Sequence, residues 1–288
     1  MKNNKIKKAF SLIELSVVIL IIGILVAGVT QSSRLVTKMR LQTAQNITNS
    51  SPIPSIKDLV FWFETSLDSS FNDSEEQNNA SITTWYDNTK QSSIKTNISS
   101  PASATNQPKY IENAFGAIPS VKFDGDDYFS FDGNLFVNTD FTMFIVERKI
   151  STVDTWFLSA SGASCGTNEC LHIGYRNNNW LTLAFYYNDL ECNGASISAC
   201  APLANSQIRI HTFYFSKSVG RKYWLNGGVN PEVSDSVLSA VNSPKTNRIG
   251  SSYNGEMAEI ILFNRALKNE ERQSIEDYLS RKYAVKIS

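Results

Sequence analysis

Hydrophobic and polar positions divide the chain into three unlike stretches. Residues 10–29 are apolar apart from small and hydroxyl side chains and a single charge, Glu14. A helix of that length covers about 30 Å, the thickness of a bilayer's hydrocarbon core. Four lysines (Lys2, Lys5, Lys7, Lys8) precede the run, which places the N-terminus on the cytoplasmic side and the bulk of the chain across the membrane. Beyond Val29, proline is absent up to Pro52, and Val29, Val36, Met39 and Ile47 recur at helical spacing, so the helix is expected to continue to residue 49 with an amphipathic second half. Pro52 and Pro54 then end it and favour extended backbone, marking residues 50–56 as a linker.

From residue 57 to 288 the pattern changes to short apolar runs separated by Asn-, Ser- and Gly-rich turns. Strands are expected at 59–64, 120–123, 141–148, 155–160, 171–175, 181–187, 208–216, 222–225, 248–250 and 257–264. Many short strands at close intervals point to an all-β sandwich. Near the end, Asn269 is a candidate N-cap, Glu270 and Glu271 suit a first helical turn, and Ile275, Tyr278 and Leu279 form one face of a short C-terminal helix.

Composition changes this picture little. With 42% hydrophobic and 19% charged residues the chain is globular rather than disordered. Its formal net charge is zero; without the four leading lysines it holds 23 basic against 27 acidic side chains, a formal −4. That balance excludes an electrostatic nucleic-acid binder. All four cysteines, Cys165, Cys170, Cys192 and Cys200, lie within 36 residues in polar loops. Behind a membrane-targeting segment they read as two disulfides, with Cys165–Cys170 and Cys192–Cys200 favoured because each pair brackets one short loop. Reduced thiols, or a zinc site using His172, are the alternatives.

Glu14 decides between readings of the N-terminal segment. A secretory signal would end at a cleavage site, and VAG at 26–28 is a weak one after too long a core. A plain anchor leaves Glu14 unexplained, since a carboxylate deep in lipid costs about 2.5–3.5 kcal/mol. Lys7-Lys8-Ala9 followed by Phe10-Ser11-Leu12-Ile13-Glu14-Leu15, and then Ile21-Ile22-Gly23-Ile24-Leu25, resembles the N-terminal segment of type IV prepilins and of the pseudopilins of type II secretion. The resemblance implies cleavage between Ala9 and Phe10 by a prepilin peptidase and N-methylation of Phe10. It also implies residence in the inner membrane with the C-terminal domain in the periplasm, then assembly with other pilin or pseudopilin subunits into a periplasmic or extracellular filament. The new amine at Phe10 lies one helical turn from Glu14, on the same face. Glu14 is also placed to neutralise the amine of a neighbouring subunit, because an unpaired charge away from water is expensive. Ala9 stands where the family usually has Gly, and Gln31 where major pilins often carry proline; both lean toward a minor pilin or pseudopilin.

The rest of the chain shows a second resemblance, carried by LVFWFETSLDSSF, ITTWYDNT, QPKYIENAFGAIPSVKFDGDDYFSF, FTMFIVERK, YWLNGG and RIGSSYNGEMAEIILFNRALKNEERQSIEDYLSRKYAV in that order. It resembles the bacterial concanavalin A-like, laminin-G-like jelly-roll domain, over residues 57–285. The resemblance implies two packed antiparallel sheets, a carbohydrate- or protein-binding role, and in some members a calcium ion. The expected fold is thus a long N-terminal helix, transmembrane in its first half, followed by a jelly-roll sandwich with a short C-terminal helix.

Fold alone does not assign chemistry. Glucanases of this fold carry acids alternating along one strand; no strand here has that spacing, and Glu256 and Glu259, three apart, would face opposite sides of a continuous strand. No catalytic residue is expected. Asp124-Gly125-Asp126-Asp127 favours a turn, and its carboxylates are the candidate oxygen ligands should calcium bind. Trp62, Trp85, Trp156 and Trp224 are expected in the core, with His172 and His211 structural. Tyr175, Asn178 and Trp180 frame a hairpin tip whose rings and amides suit glycan contact, the other reading being an ordinary Asn-rich turn.

Overall fold

The computed structural model describes residues 12–150, 155–160, 164–176, 180–192 and 205–287. Helix α1 (Leu12–Asn49) runs uninterrupted for 38 residues, about 57 Å at the α-helical rise. It is long and apolar enough to cross a membrane. Residues 12–36 are exposed, whereas Ala44 and Thr48 at the far end are buried against the rest of the molecule.

Among the described residues sixteen strands follow: β1 (Leu59–Glu64), β2 (Thr84–Trp85), β3 (Ile98–Ser99), β4 (Lys109–Phe115), β5 (Ile118–Asp124), β6 (Phe129–Ser130), β7 (Phe141–Lys149), β8 (Thr155–Ala160), β9 (His172–Arg176), β10 (Trp180–Ala184), β11 (Asp189–Cys192), β12 (Arg209–Ser216), β13 (Gly220–Leu225), β14 (Val233–Ser234), β15 (Thr246–Ile249) and β16 (Asn254–Phe263). They form two antiparallel sheets. The first has the order β14-β13-β12-β7-β16-β5-β4, with β1 also paired to β16; the second has β11-β10-β9-β8-β15-β6-β3-β2. The expected β-sandwich, long N-terminal helix and C-terminal helix, α2 (Asn269–Tyr283), are all present.

Two cores result. One lies between the sheets and is rich in phenylalanine; the other lies between the outer face of the first sheet and the end of α1, the turn at Ile53–Ser55 and α2. Strand β16 feeds both. Met257, Ile260 and Leu262 point into the sandwich, while Ala258, Ile261 and Phe263 point to the helices. Each fully buried side chain of this size contributes about 1.5–3 kcal/mol, so a strand buried on both faces is the natural centre of the sheet. The Pro52–Ile56 stretch is no free tether, since Ile53 and Ile56 are buried in the second core.

Two local expectations are corrected. Helix α2 begins at Asn269 with Lys268 in the cap position; the Glu271 carboxylate accepts the Lys268 N–H at 3.0 Å and pairs with Arg265, closing the first turn. In β16 the register shifts between Met257 and Glu259. The bulge inserts one residue and returns Glu259 to the face that Glu256 occupies. Both glutamates face the helices, but neither opens on a cleft: Glu256 is paired with Arg148, and Glu259 is wholly buried.

Candidate functional site

Glu14 stands in the first described turn of α1; Ala9 and Phe10 lie outside the described residues. The helix carries two distinct faces beyond the bilayer length. Thr37, Leu41, Ala44 and Thr48 turn toward the head, as their partial or full burial shows, while Leu35, Val36 and Met39 are exposed on the other side. Met39 is about 41 Å along the helix from Leu12, the first residue of α1. Leu35, Val36 and Met39 therefore carry apolar side chains up to about 11 Å past a 30 Å hydrocarbon core.

Where α1 meets the head, polar contacts lock it. Gln45 Nε2 donates to the Ser66 carbonyl at 2.8 Å and to Asp68 Oδ1 at 3.0 Å, and the Tyr278 hydroxyl oxygen lies 3.4 Å from Thr48 Oγ1. Beneath lies a buried ion network. Lys282 Nζ, reaching from α2, bonds Glu64 Oε2 and Glu259 Oε2, both at 2.9 Å. Glu259 also accepts from Trp62 Nε1 (2.7 Å), Tyr278 (2.8 Å) and Tyr283 (2.9 Å), and Glu64 from Ser66, Leu67 and Ser70. Burial opposes the charge on Glu64, yet Lys282 and Ser66 outweigh it and hold its pKa below the usual carboxylate value. For Glu259 burial wins and its pKa is raised; Lys282, flanked by two carboxylates, is raised despite its burial. The network joins β1, β16, α2 and, through Tyr278, the stem. Sequence reasoning missed it because Glu64 and Lys282 are 218 residues apart.

Beside this junction is a groove of about 480 Å3 lined by Arg40 and Ile47 of α1, Phe115 and Ile118 of the β4–β5 hairpin, and Arg281 and Tyr283 of α2. It is open and apolar-floored with a basic rim.

Asp124, Asp126 and Asp127 do come together, with carboxylate oxygens within 4.8 Å of one another. Asp127 Oδ2 accepts the Asp124 N–H at 3.0 Å, forming the expected turn. Three carboxylates on a turn suit a hard cation such as calcium, which would relieve their mutual repulsion. Burial and the adjacent Asp124 push the Asp127 carboxyl up to about 7. A raised acid pKa weakens the fold above pH 7 and releases that penalty as pH falls toward the unfolded value near 4. Asp127→Asn is therefore expected to melt higher than the wild type at pH 8, with the gap closing by pH 4; thermal melts across that range check it, and a gap constant with pH would refute the assignment.

Tyr175, expected at a hairpin tip, is instead wholly buried between the sheets. Its hydroxyl donates to Glu147 Oε1 at 2.6 Å, in a cluster where His211 Nε2 lies 3.0 Å from the same oxygen and Tyr253 donates to Oε2 at 2.5 Å. Strand alternation explains this: Tyr175 shares a face with Ile173, whereas Arg176 and its register partner Trp180 lie on the opposite face. Asn178 lies outside the described residues. Trp62, Trp85 and Trp224 are buried as expected, but Trp156 sits half-exposed on the outer face of the second sheet. Cys165 and Cys170 form a disulfide, with Cα atoms 5.9 Å apart. Cys192 is disulfide-bonded as well; Cys200, and with it the expected Cys192–Cys200 pairing, lies outside the described residues.

Comparison with known proteins adds three findings. A search of curated proteins returned no match. Among solved structures, the head resembles domain 4 of AbnA, an extracellular GH43 arabinanase from Geobacillus stearothermophilus determined with arabinotriose, at 12% identity and a TM-score of 0.53 over 77% of this chain and 98% of that one. It also resembles the binding domain of paraclostridial mosquitocidal protein 1, at 11% identity and a TM-score of 0.52, covering 78% of this chain and 52% of that one. At such identities the likeness is one of fold. Residues 4–30 match the family model described as the prokaryotic N-terminal methylation motif, so the chain carries a pilin-type N-terminal segment joined through one long helix to a jelly-roll β-sandwich.

Proposed function

We propose that the chain is a pilin-like filament subunit, a minor pilin or pseudopilin of a type IV pilus or type II secretion-type filament. In this reading prepilin peptidase cuts between Ala9 and Phe10, Phe10 is methylated, and the subunit waits in the inner membrane with its head outside. It then assembles through its stem, and the head serves recognition or adhesion. The observation that carries the proposal is the methylation motif at residues 4–30 continuing into α1. The exposed stripe of Leu35, Val36 and Met39 supports it, because a helix that only anchors has no use for apolar side chains beyond the bilayer. Packed neighbouring stems would cover them.

The head is read as non-enzymatic. Glu256 and Glu259, the acids nearest in spacing to a glycosidase pair, are committed to Arg148 and Lys282. A membrane-anchored binding module outside any filament is the competing reading.

Mass spectrometry of the mature N-terminus tests the proposal. The expected chain begins at Phe10 and carries one added methyl group. An intact Met1 would leave only the anchored module.

A further inference from the structure

The outer face of the second sheet, away from the helices, carries an aromatic row that neither core uses. Strands β8 and β9 and the turn after β10 bring four rings into sequence. Trp156 meets His172 edge-on with centroids 5.4 Å apart, His172 lies 6.0 Å from Tyr186, and Tyr186 meets Tyr187 edge-on at 4.7 Å. Tyr187 is 80% exposed, and the other three are half-buried.

The backbone beneath the two tyrosines is strained. Both adopt φ of +56°, a region that costs a bulky residue about 1–3 kcal/mol and persists only where surrounding contacts impose it. Those contacts come from three directions. The Phe185 N–H donates to the Asn188 carbonyl at 3.0 Å, closing the turn; Arg221 Nη1 of β13 donates to that carbonyl at 2.5 Å; and the Asn168 N–H donates to the Tyr186 carbonyl at 3.2 Å. Asn168 sits in the loop closed by the Cys165–Cys170 disulfide, and its side chain accepts from Asn188 Nδ2 at 3.0 Å. A cross-linked loop thus holds two tyrosines outward in a conformation they would not choose.

The polar rim is matched to neutral ligands. Arg176 Nη1 bonds Asp189 at 2.9 Å and Glu191 at 2.6 Å, with its guanidinium 5.5 Å over the Trp156 ring. Lys245 is paired with Glu169. One arginine facing two carboxylates leaves this rim acidic, with carboxylate and amide oxygens to accept hydroxyls. An anionic sugar would meet repulsion.

We propose that this corner is a carbohydrate-binding site for a neutral pyranose, whose C–H face stacks on the exposed tyrosine ring while its hydroxyls bond Glu191, Asp189 or Asn188. Aromatic rings with a few fixed polar groups are the chemistry by which such ligands are held. The inference deepens the reading of the head as a recognition domain. It is measurable on the unassembled chain, whatever the outcome for the filament.

The test uses the full chain in nanodiscs of zwitterionic phospholipid, free of glycoside detergents. Saturation-transfer NMR is recorded with the methyl pyranosides of glucose, galactose and mannose, and with N-acetylneuraminic acid as the anionic probe. At least one neutral pyranoside is expected to bind. Tyr187→Asn, which tolerates the left-handed backbone and removes the ring, is expected to weaken it about tenfold, or about 1.4 kcal/mol, while Tm holds or rises as the backbone strain is relieved. Absence of binding by every neutral probe, equal affinity in Tyr187→Asn, or binding confined to N-acetylneuraminic acid would each overturn the proposal. The mass of the mature N-terminus, measured on the same preparation, reports separately on the filament reading.

Discussion

Replacing Lys282 with alanine is expected to destabilise the protein by about 3–5 kcal/mol, the range for removing one partner of a buried ion network. Lys282 is the cation bonded to both Glu64 and Glu259, and all three side chains are fully buried. Without the ammonium, two carboxylates share one dry site and repel each other. The loss has a signature that a simple cavity would lack. Without Lys282 both acids should titrate higher than in the unfolded chain, so the variant recovers stability as pH falls toward about 4, where protonation removes the charge. Adding Glu259→Gln is expected to restore part of the loss at pH 7. Denaturant unfolding of the purified chain at pH 7 and pH 4.5 checks this; an equal deficit at both values would show that packing, rather than charge, carries the effect. Because Tyr278 links the network to Thr48, the same substitution should loosen the stem from the head, seen as faster amide exchange at residues 44–48.

Why that network escaped the sequence, while so much else did not, follows from the range of the signals. Helix α1 was legible because its apolar run is local and continuous, and the main strands because Val, Ile, Phe and Tyr alternate within them. Leu59–Glu64 and Thr155–Ala160 appear with the expected limits. Strands β2, β3, β6 and β14 are two residues long, too short for any period to show. In β4 only two positions of seven are buried, because this edge strand has solvent where a pattern would need a core. Other misses are register effects. The Ala258 bulge that brings Glu256 and Glu259 to one face depends on pairing with β7, more than a hundred residues away. Tyr175 turned inward because β9 packs across the sandwich against Glu147. The Tyr186–Tyr187 corner was hidden inside an expected strand over 181–187; strand β10 ends at Ala184, because the Asn168 and Asn188 contacts bend the chain there. The adjacent Asn188-Asp189 pair was the available turn signal.

Glu14→Ala is expected to insert into the membrane at least as well as the wild type and yet to reduce incorporation into filaments by tenfold or more. The carboxylate opposes insertion by about 2.5–3.5 kcal/mol if it reaches the bilayer centre, so its removal favours the anchored state. Assembly reverses the sign. Cleavage after Ala9 would leave an amine at Phe10, four residues before Glu14, and packed stems would carry that charge away from water. An uncompensated charge in such surroundings costs about 3–5 kcal/mol, more than the 1.4 kcal/mol equivalent to a tenfold change in partition. Glu14→Gln keeps the shape and a hydrogen-bonding group but loses the charge, and should fail similarly; Glu14→Asp keeps the charge on a shorter arm and should retain part of the activity. Quantifying each variant in sheared filaments and in the membrane fraction separates the two steps. If Glu14→Ala enters filaments at the wild-type level, the ion-pair account of this residue fails, and the stripe formed by Leu35, Val36 and Met39 would have to drive assembly through apolar contact alone.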